Sequence, residues 1–172
     1  GALKSLEENG ILKNIKFYGG TSIGAIISIL CMIGYTSLEI FSFICTTNIL
    51  EIMCNQHMYA NIFNLLTYYG IYDFDNIKDE LEKLIKNKIG YIPTLWKLEK
   101  ITKKKFFCVT YNLSVKNTIY ITSRNFPNIN ILDALHMTSN LPVMFDKYKY
   151  KDSLYIDGGF SDNFPIKYMK YF

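Results

Sequence analysis

Arginine is nearly absent from this 172-residue chain: Arg124 is the one example among 19 basic residues. That argues against nucleic acid as a partner, because phosphate and base-edge recognition lean on arginine and the formal net charge is only +4. Histidine is almost as scarce. His57 and His136 are too few and too far apart for a zinc site, so no metal and no cofactor is expected. The four cysteines, Cys31, Cys45, Cys54 and Cys108, include no C-x-x-C pair. Three of them, Cys31, Cys45 and Cys108, have apolar neighbours in sequence, which predicts buried free thiols in a reducing compartment rather than disulfides. The longest apolar run, Ile23 to Ile33, is about half of a bilayer crossing and reads as a buried helix. No phosphate-loop spacing, signal peptide, internal repeat or linker is visible. The expectation is one domain over residues 1–172, cytoplasmic or peripheral to a membrane.

What is present is apolar: 49% of residues, with aromatics led by Tyr and Phe. Such a chain packs a core instead of staying disordered. Leu3 to Asn9 is patterned as a helix stopped by Gly10, and Ile15 to Tyr18 as a short strand broken by Gly19 and Gly20. A helix follows from Ile23 to Ile33, ended by Gly34, and Thr36 or Ser37 caps the next. Residues 38 to 72 carry no clear alternation and read as helices and loops over the core.

Asp75 opens an amphipathic helix with Ile77, Leu81, Leu84, Ile85 and Lys88 on one stripe and the pairs Asp79–Lys83 and Glu82–Lys86 on its wet side. Thr94 caps a short helix, Phe106–Tyr111 and Thr118–Thr122 form strands, and Asn130 caps a helix from Ile131 to Ser139. A last strand spans Leu154 to Ile156. Helices alternating with strands predict an α/β fold, with a mixed sheet covered on both faces.

Two places carry chemistry. Gly20-Thr21-Ser22-Ile23-Gly24 is a G-x-S-x-G sequence with a strand before it and a helix immediately after. This is the context of a nucleophile elbow: serine at the apex of a tight turn, helix N-terminus beneath it. A glycine-rich packing turn is the alternative. A serine hydroxyl also needs a base. His136 falls off the apolar stripe of its helix, at the surface or half-buried, and His57 lies in an unpatterned stretch. A carboxylate fits better: Asp157 ends a strand and precedes Gly158 and Gly159, a position where α/β sites form, although a plain turn aspartate would look similar.

Together, Ser22-Ile23-Gly24-Ala25 and Asp157-Gly158-Gly159 resemble the patatin-like phospholipases. Gly1 to Ile11 is similar to that family's first helix. Ala134 to Ser139 with Leu141-Pro142 and Phe145 is similar to its segment ahead of the aspartate, and Asn163-Phe164-Pro165 to its following turn. The resemblance implies a three-layer α/β fold and a Ser-Asp dyad without histidine, in which Ser22 accepts the acyl group and Asp157 is the base. It also implies a phospholipid or lysophospholipid substrate.

The family's glycine-rich oxyanion loop precedes the helix that Leu3 begins, so it would lie upstream of residue 1, and a fragment of an enzyme is expected. The Ile23 backbone N–H remains as one oxyanion donor. A lipid-binding or interaction module with the same fold and little or no activity is the competing expectation; it would bind liposomes regardless of Ser22→Ala. The basic run Lys100, Lys103, Lys104 and Lys105, and Lys147, Lys149 and Lys151, read as solvated surface or as attraction to anionic headgroups. The Phe and Tyr residues between 41 and 74 read as core cover or as the lining of an acyl pocket.

Overall fold

The computed structural model describes residues 1–46, 70–72, 74–145 and 148–171. In chain order the elements are α1 (Ala2–Glu8), β1 (Phe17–Thr21), α2 (Ile23–Met32), α3 (Ser37–Thr46), β2 (Gly70–Tyr72), α4 (Asp75–Ile89) and α5 (Leu95–Thr102). Then come β3 (Lys105–Asn112), β4 (Asn117–Thr122), α6 (Ile131–Ser139), β5 (Val143–Phe145), β6 (Tyr148–Tyr150), β7 (Ser153–Asp157) and α7 (Ile166–Met169).

The helix starts follow the capping residues. Thr36 and Glu39 bond reciprocally: the Thr36 N–H donates to Glu39 Oε2 at 2.7 Å, and the Glu39 N–H donates to Thr36 Oγ1 at 3.2 Å. Thr94 accepts the Lys97 N–H and Asn130 accepts the Asp133 N–H. On α4, Leu81 and Ile85 are buried as the stripe requires. Glu82 and Lys86 pair at 2.5 Å, but Lys83 pairs with Glu80 at 2.6 Å instead of Asp79. Both partners lie within one helical turn of Lys83, and the closer one takes it.

Strand β3 organises the main sheet. It pairs with β4 antiparallel over Phe107–Asn112 along one edge. The other edge is shared. Strand β1 runs parallel to Lys105–Val109, and β7 runs antiparallel to Thr110–Asn112, with β6 beyond it. The sheet is therefore mixed. A separate small sheet pairs β2 with β5 in parallel, so residues 70–72 are strand where helix or loop was expected.

Alternation along β3 divides the sheet into two faces. Phe106 and Cys108 belong to the main core with residues of α2, α4, α5 and α6, and the Cys108 thiol reaches the Ala134 carbonyl of α6. Phe107 points the other way, against Tyr168 of α7 at 5.0 Å between ring centres. Helix α6 lies nearly wholly inside the protein. That corrects the expectation for His136, which is buried: its ring stacks on Phe74 at 4.2 Å and meets Tyr148 at 3.9 Å. The helix has no wet face, so a residue off its apolar stripe is enclosed all the same. Cys108 is buried and Cys31 half-buried, but Cys45 is exposed near the end of α3. Cys54 and His57 lie outside the described residues.

Candidate functional site

The glycines before Ser22 do not break β1; they are inside it. A Cβ on Gly19 would stand 2.1 Å from the Phe107 ring, and one on Gly20 would stand 2.5 Å from the Gly24 backbone of α2. Ring and helix can close on the strand only where side chains are missing. The expected strand, Ile15 to Tyr18, is accordingly displaced to Phe17–Thr21, with Ile15 closing a short 3₁₀ turn at Leu12–Asn14.

Ser22 follows directly, with φ 54° and ψ −128°. This is backbone that L-residues avoid and that costs about 1–3 kcal/mol unless its surroundings hold it. They do. The Ser22 N–H donates to Thr138 Oγ1 at 3.1 Å, and the Thr138 hydroxyl donates in turn to the Val109 carbonyl. The Thr21 hydroxyl donates to the Asp162 carbonyl at 2.8 Å. The Ser22 carbonyl accepts the Ala25 N–H at 2.9 Å, so α2 begins at once. Ile23 and Gly24 form its first turn, where backbone N–H groups have no partner inside the helix.

Asp157 is the last residue of β7 and opposes Thr110. Its N–H donates to the Asn140 carbonyl at 2.8 Å, and Asn140 is tied to the Tyr155 carbonyl at 3.1 Å. Gly158 lies flat on β3; a Cβ there would sit 2.3 Å from the Val109 carbonyl oxygen. The carboxyl is 2% exposed at the residue level. Oδ1 accepts the Gly159 N–H at 2.6 Å, while buried Oδ2 makes no hydrogen bond of full geometry. The Ser22 side chain lies close enough to favour the ionised carboxyl. Burial outweighs it and the Gly159 N–H, and pushes the Asp157 pKa up from the usual carboxylate range. None of the ion pairs among the described residues includes Asp157.

Ser22 and Asp157 share one open cleft of about 410 Å³, walled also by Thr21, Ile23, Leu141, Pro142, Gly159, Phe160 and Asn163. A hydroxyl on strained backbone, a carboxyl with raised pKa, and a helix N-terminus together can perform acyl transfer: nucleophile, base and an anion-stabilising dipole.

The sequence-predicted residues Gly20, Thr21, Ser22, Ile23, Gly24, Asp157, Gly158 and Gly159 all lie at this locus. His136 does not join them. It is two residues from Thr138 on α6, hence about 200° round the helix from the side chain that holds Ser22. The basic run is also elsewhere. Lys105 opposes Phe17 at the start of β1, about 13 Å of strand from Thr21. It pairs with Glu99 at 2.7 Å, while Lys104 donates to the Met32 carbonyl at 3.2 Å. Sequence reasoning missed Thr138 as a support of Ser22, and Asn140 and Asp162 as ties. A threonine inside an otherwise buried helix was the available signal.

The sequence model of patatin-like phospholipases matches residues 1–170. A probable lipid hydrolase, 463L, of Invertebrate iridescent virus 6 is 31% identical over 168 residues, which is 96% of this chain and 56% of that protein. The uncharacterized protein R571 of Acanthamoeba polyphaga mimivirus is 29% identical, over 96% of this chain and 54% of its own length. This chain thus spans about half the length of the curated relatives it matches. The crystal structure of the type III effector protein ExoU superposes with a TM-score of 0.52 at 15% identity, over 80% of this chain and 36% of that one. At that identity it speaks for the fold: a mixed sheet flanked by helices.

Proposed function

Because this chain belongs to the patatin-like phospholipase family, we propose that it is the catalytic part of a lipid acyl hydrolase, with Ser22 as nucleophile and Asp157 as its base. The observation that supports the reading is that Ser22, at φ 54° on the tip of β1, and the buried Asp157 line the same cleft.

In the proposed reaction the Ser22 hydroxyl oxygen attacks the ester carbonyl carbon, and its proton passes to Asp157 Oδ2. The tetrahedral oxyanion lies near the Ile23 N–H and the N-terminus of α2. Collapse breaks the carbon–oxygen bond, and Asp157 returns the proton to the departing alcohol. Asp157 then takes a proton from water, whose oxygen attacks the acyl-Ser22 carbonyl; as this second intermediate collapses, Asp157 returns the proton to Ser22 Oγ and the carboxylic acid leaves. The raised pKa of the carboxyl suits both roles, because its proton affinity is moved toward neutral pH.

The substrates proposed are phospholipids or lysophospholipids. Among the described residues no helix is long and apolar enough to cross a membrane. The test is labelling of the full-length protein by a fluorophosphonate. Labelling that disappears in Ser22→Ala and is strongly reduced in Asp157→Asn is the expected result. A full-length protein that never labels, or that labels equally without Ser22, would remove the proposal.

A further inference from the structure

The mouth of the Ser22 cleft carries exposed apolar side chains. Of its wall residues, Ile23, Leu141 and Phe160 are exposed, Phe160 to 68%. A second recess, about 230 Å³, adjoins the first through Thr21 and Asn163, which line both. Its wall includes Phe164, 77% exposed, and Ile166, 51% exposed. Isolated surface apolar residues are ordinary. Five gathered around two adjoining recesses are a concentration that points to an interaction surface.

Positive charge stands exposed beside the patch. Lys167 and Lys170 project from α7 and its end, both exposed. The acid between Gly158 and Tyr171, Asp162, is engaged: Tyr120 donates its hydroxyl to Oδ2 at 2.8 Å. An occupant of this surface must be apolar in depth, tolerant of lysine at its edge, and must leave the Ser22 cleft accessible. A protein sealed over the mouth would shut substrate out. A bilayer would not, since it is the phase in which a lipid ester resides.

We propose that the rim formed by Ile23, Leu141, Phe160, Phe164 and Ile166 is the surface that docks onto a lipid membrane, with Lys167 and Lys170 facing anionic headgroups. The inference rests on the lipid-hydrolase reading and adds which face meets the lipid. It gives that role to lysines other than Lys104 and Lys105, which are engaged at the far end of the sheet.

The experiment uses the full-length protein carrying Ser22→Ala, co-sedimented with vesicles of phosphatidylcholine with and without phosphatidylglycerol. Phe164→Asp with Ile166→Asp is expected to weaken vesicle binding by about tenfold or more. In a chain that keeps Ser22, the same pair leaves turnover of a short-chain soluble ester unchanged. Phe164→Leu keeps binding, and Lys167→Glu with Lys170→Glu weakens it by about tenfold, only on vesicles containing phosphatidylglycerol. Undiminished binding of the double aspartate variant overturns the proposal, as does loss of binding in Phe164→Leu. A wild-type protein that ignores vesicles but forms a dimer broken by the aspartates also overturns it, giving the patch to a second copy. Vesicle binding in a protein that fluorophosphonates never label would sink the catalytic reading and leave this surface standing; labelling without vesicle binding does the reverse.

Discussion

Thr21 and Asp157 oppose consecutive residues of β3, Val109 and Thr110. Strand β4 fills the other edge of β3, so β1 and β7 must approach tip to tip along this one. The turn that leaves β1 at Ser22 and the turn that leaves β7 at Asp157 consequently open at the same point. The meeting of hydroxyl and carboxyl is a property of sheet register, fixed by main-chain hydrogen bonds over both strands.

Thr138 is the first residue to test. Thr138→Val keeps the shape but leaves the Ser22 N–H without its acceptor and the Val109 carbonyl without its donor. We expect a loss of about 1–3 kcal/mol in denaturant unfolding, together with reduced turnover as Ser22 loses its anchor. Thr138→Ser, which retains the hydroxyl, should stay near wild type in both measurements.

Backbone strain at Ser22 gives a second prediction. Ser22→Gly should raise the melting temperature, by an amount equivalent to about 1 kcal/mol, since glycine accepts positive φ without the Cβ penalty. Ser22→Ala removes the hydroxyl but not the strain, so it should abolish activity with a smaller gain. Equal melting temperatures for the two variants would argue against strain at this position.

Asp157 sets a pH dependence in activity and in stability. Its folded-state pKa is raised by burial, so the folded protein holds this proton more tightly than the unfolded chain does. Stability is therefore lost as pH rises from the unfolded value through the raised one. Asp157→Asn should melt higher than wild type above the raised pKa, and the difference should vanish below the ordinary aspartate pKa. Under the proposed mechanism activity runs the opposite way: Asp157 acts ionised, so the acid limb of the rate profile should fall above the usual carboxylate range. The Asn variant should lose about 10²- to 10⁴-fold in turnover at its optimum.

Gly20→Ala and Gly158→Ala test close packing around the locus. The added Cβ would meet Gly24 backbone at 2.5 Å in one and the Val109 carbonyl oxygen at 2.3 Å in the other. Neither obstacle is a side chain that can turn aside. Both variants should be poorly folded or should lose cooperative unfolding by circular dichroism, whereas Gly24→Ala, with open space around its Cβ, should fold.

Much of this was legible in the residues. The G-x-S-x-G run between strand and helix, the caps at Thr36, Thr94 and Asn130, and the stripe of α4 all depend on neighbours within about four positions, and such patterns are written locally. The same locality explains why Asp157 with Gly158 and Gly159 could be read as the end of a strand. The misplacement of β1 had a simple cause. Glycine usually interrupts a strand, and here it is required inside one because Phe107 and α2 approach from opposite faces.

Sequence alone determined that a strand, a sharp turn and a helix would meet at Ser22, and which polar residues stood there. Tertiary structure decided the rest. Thr138 reaches Ser22 across 116 positions, and His136 turns inward because α6 is enclosed. Contacts between distant segments depend on how strands register and how helices are covered, and neither is recorded in the spacing of neighbouring residues.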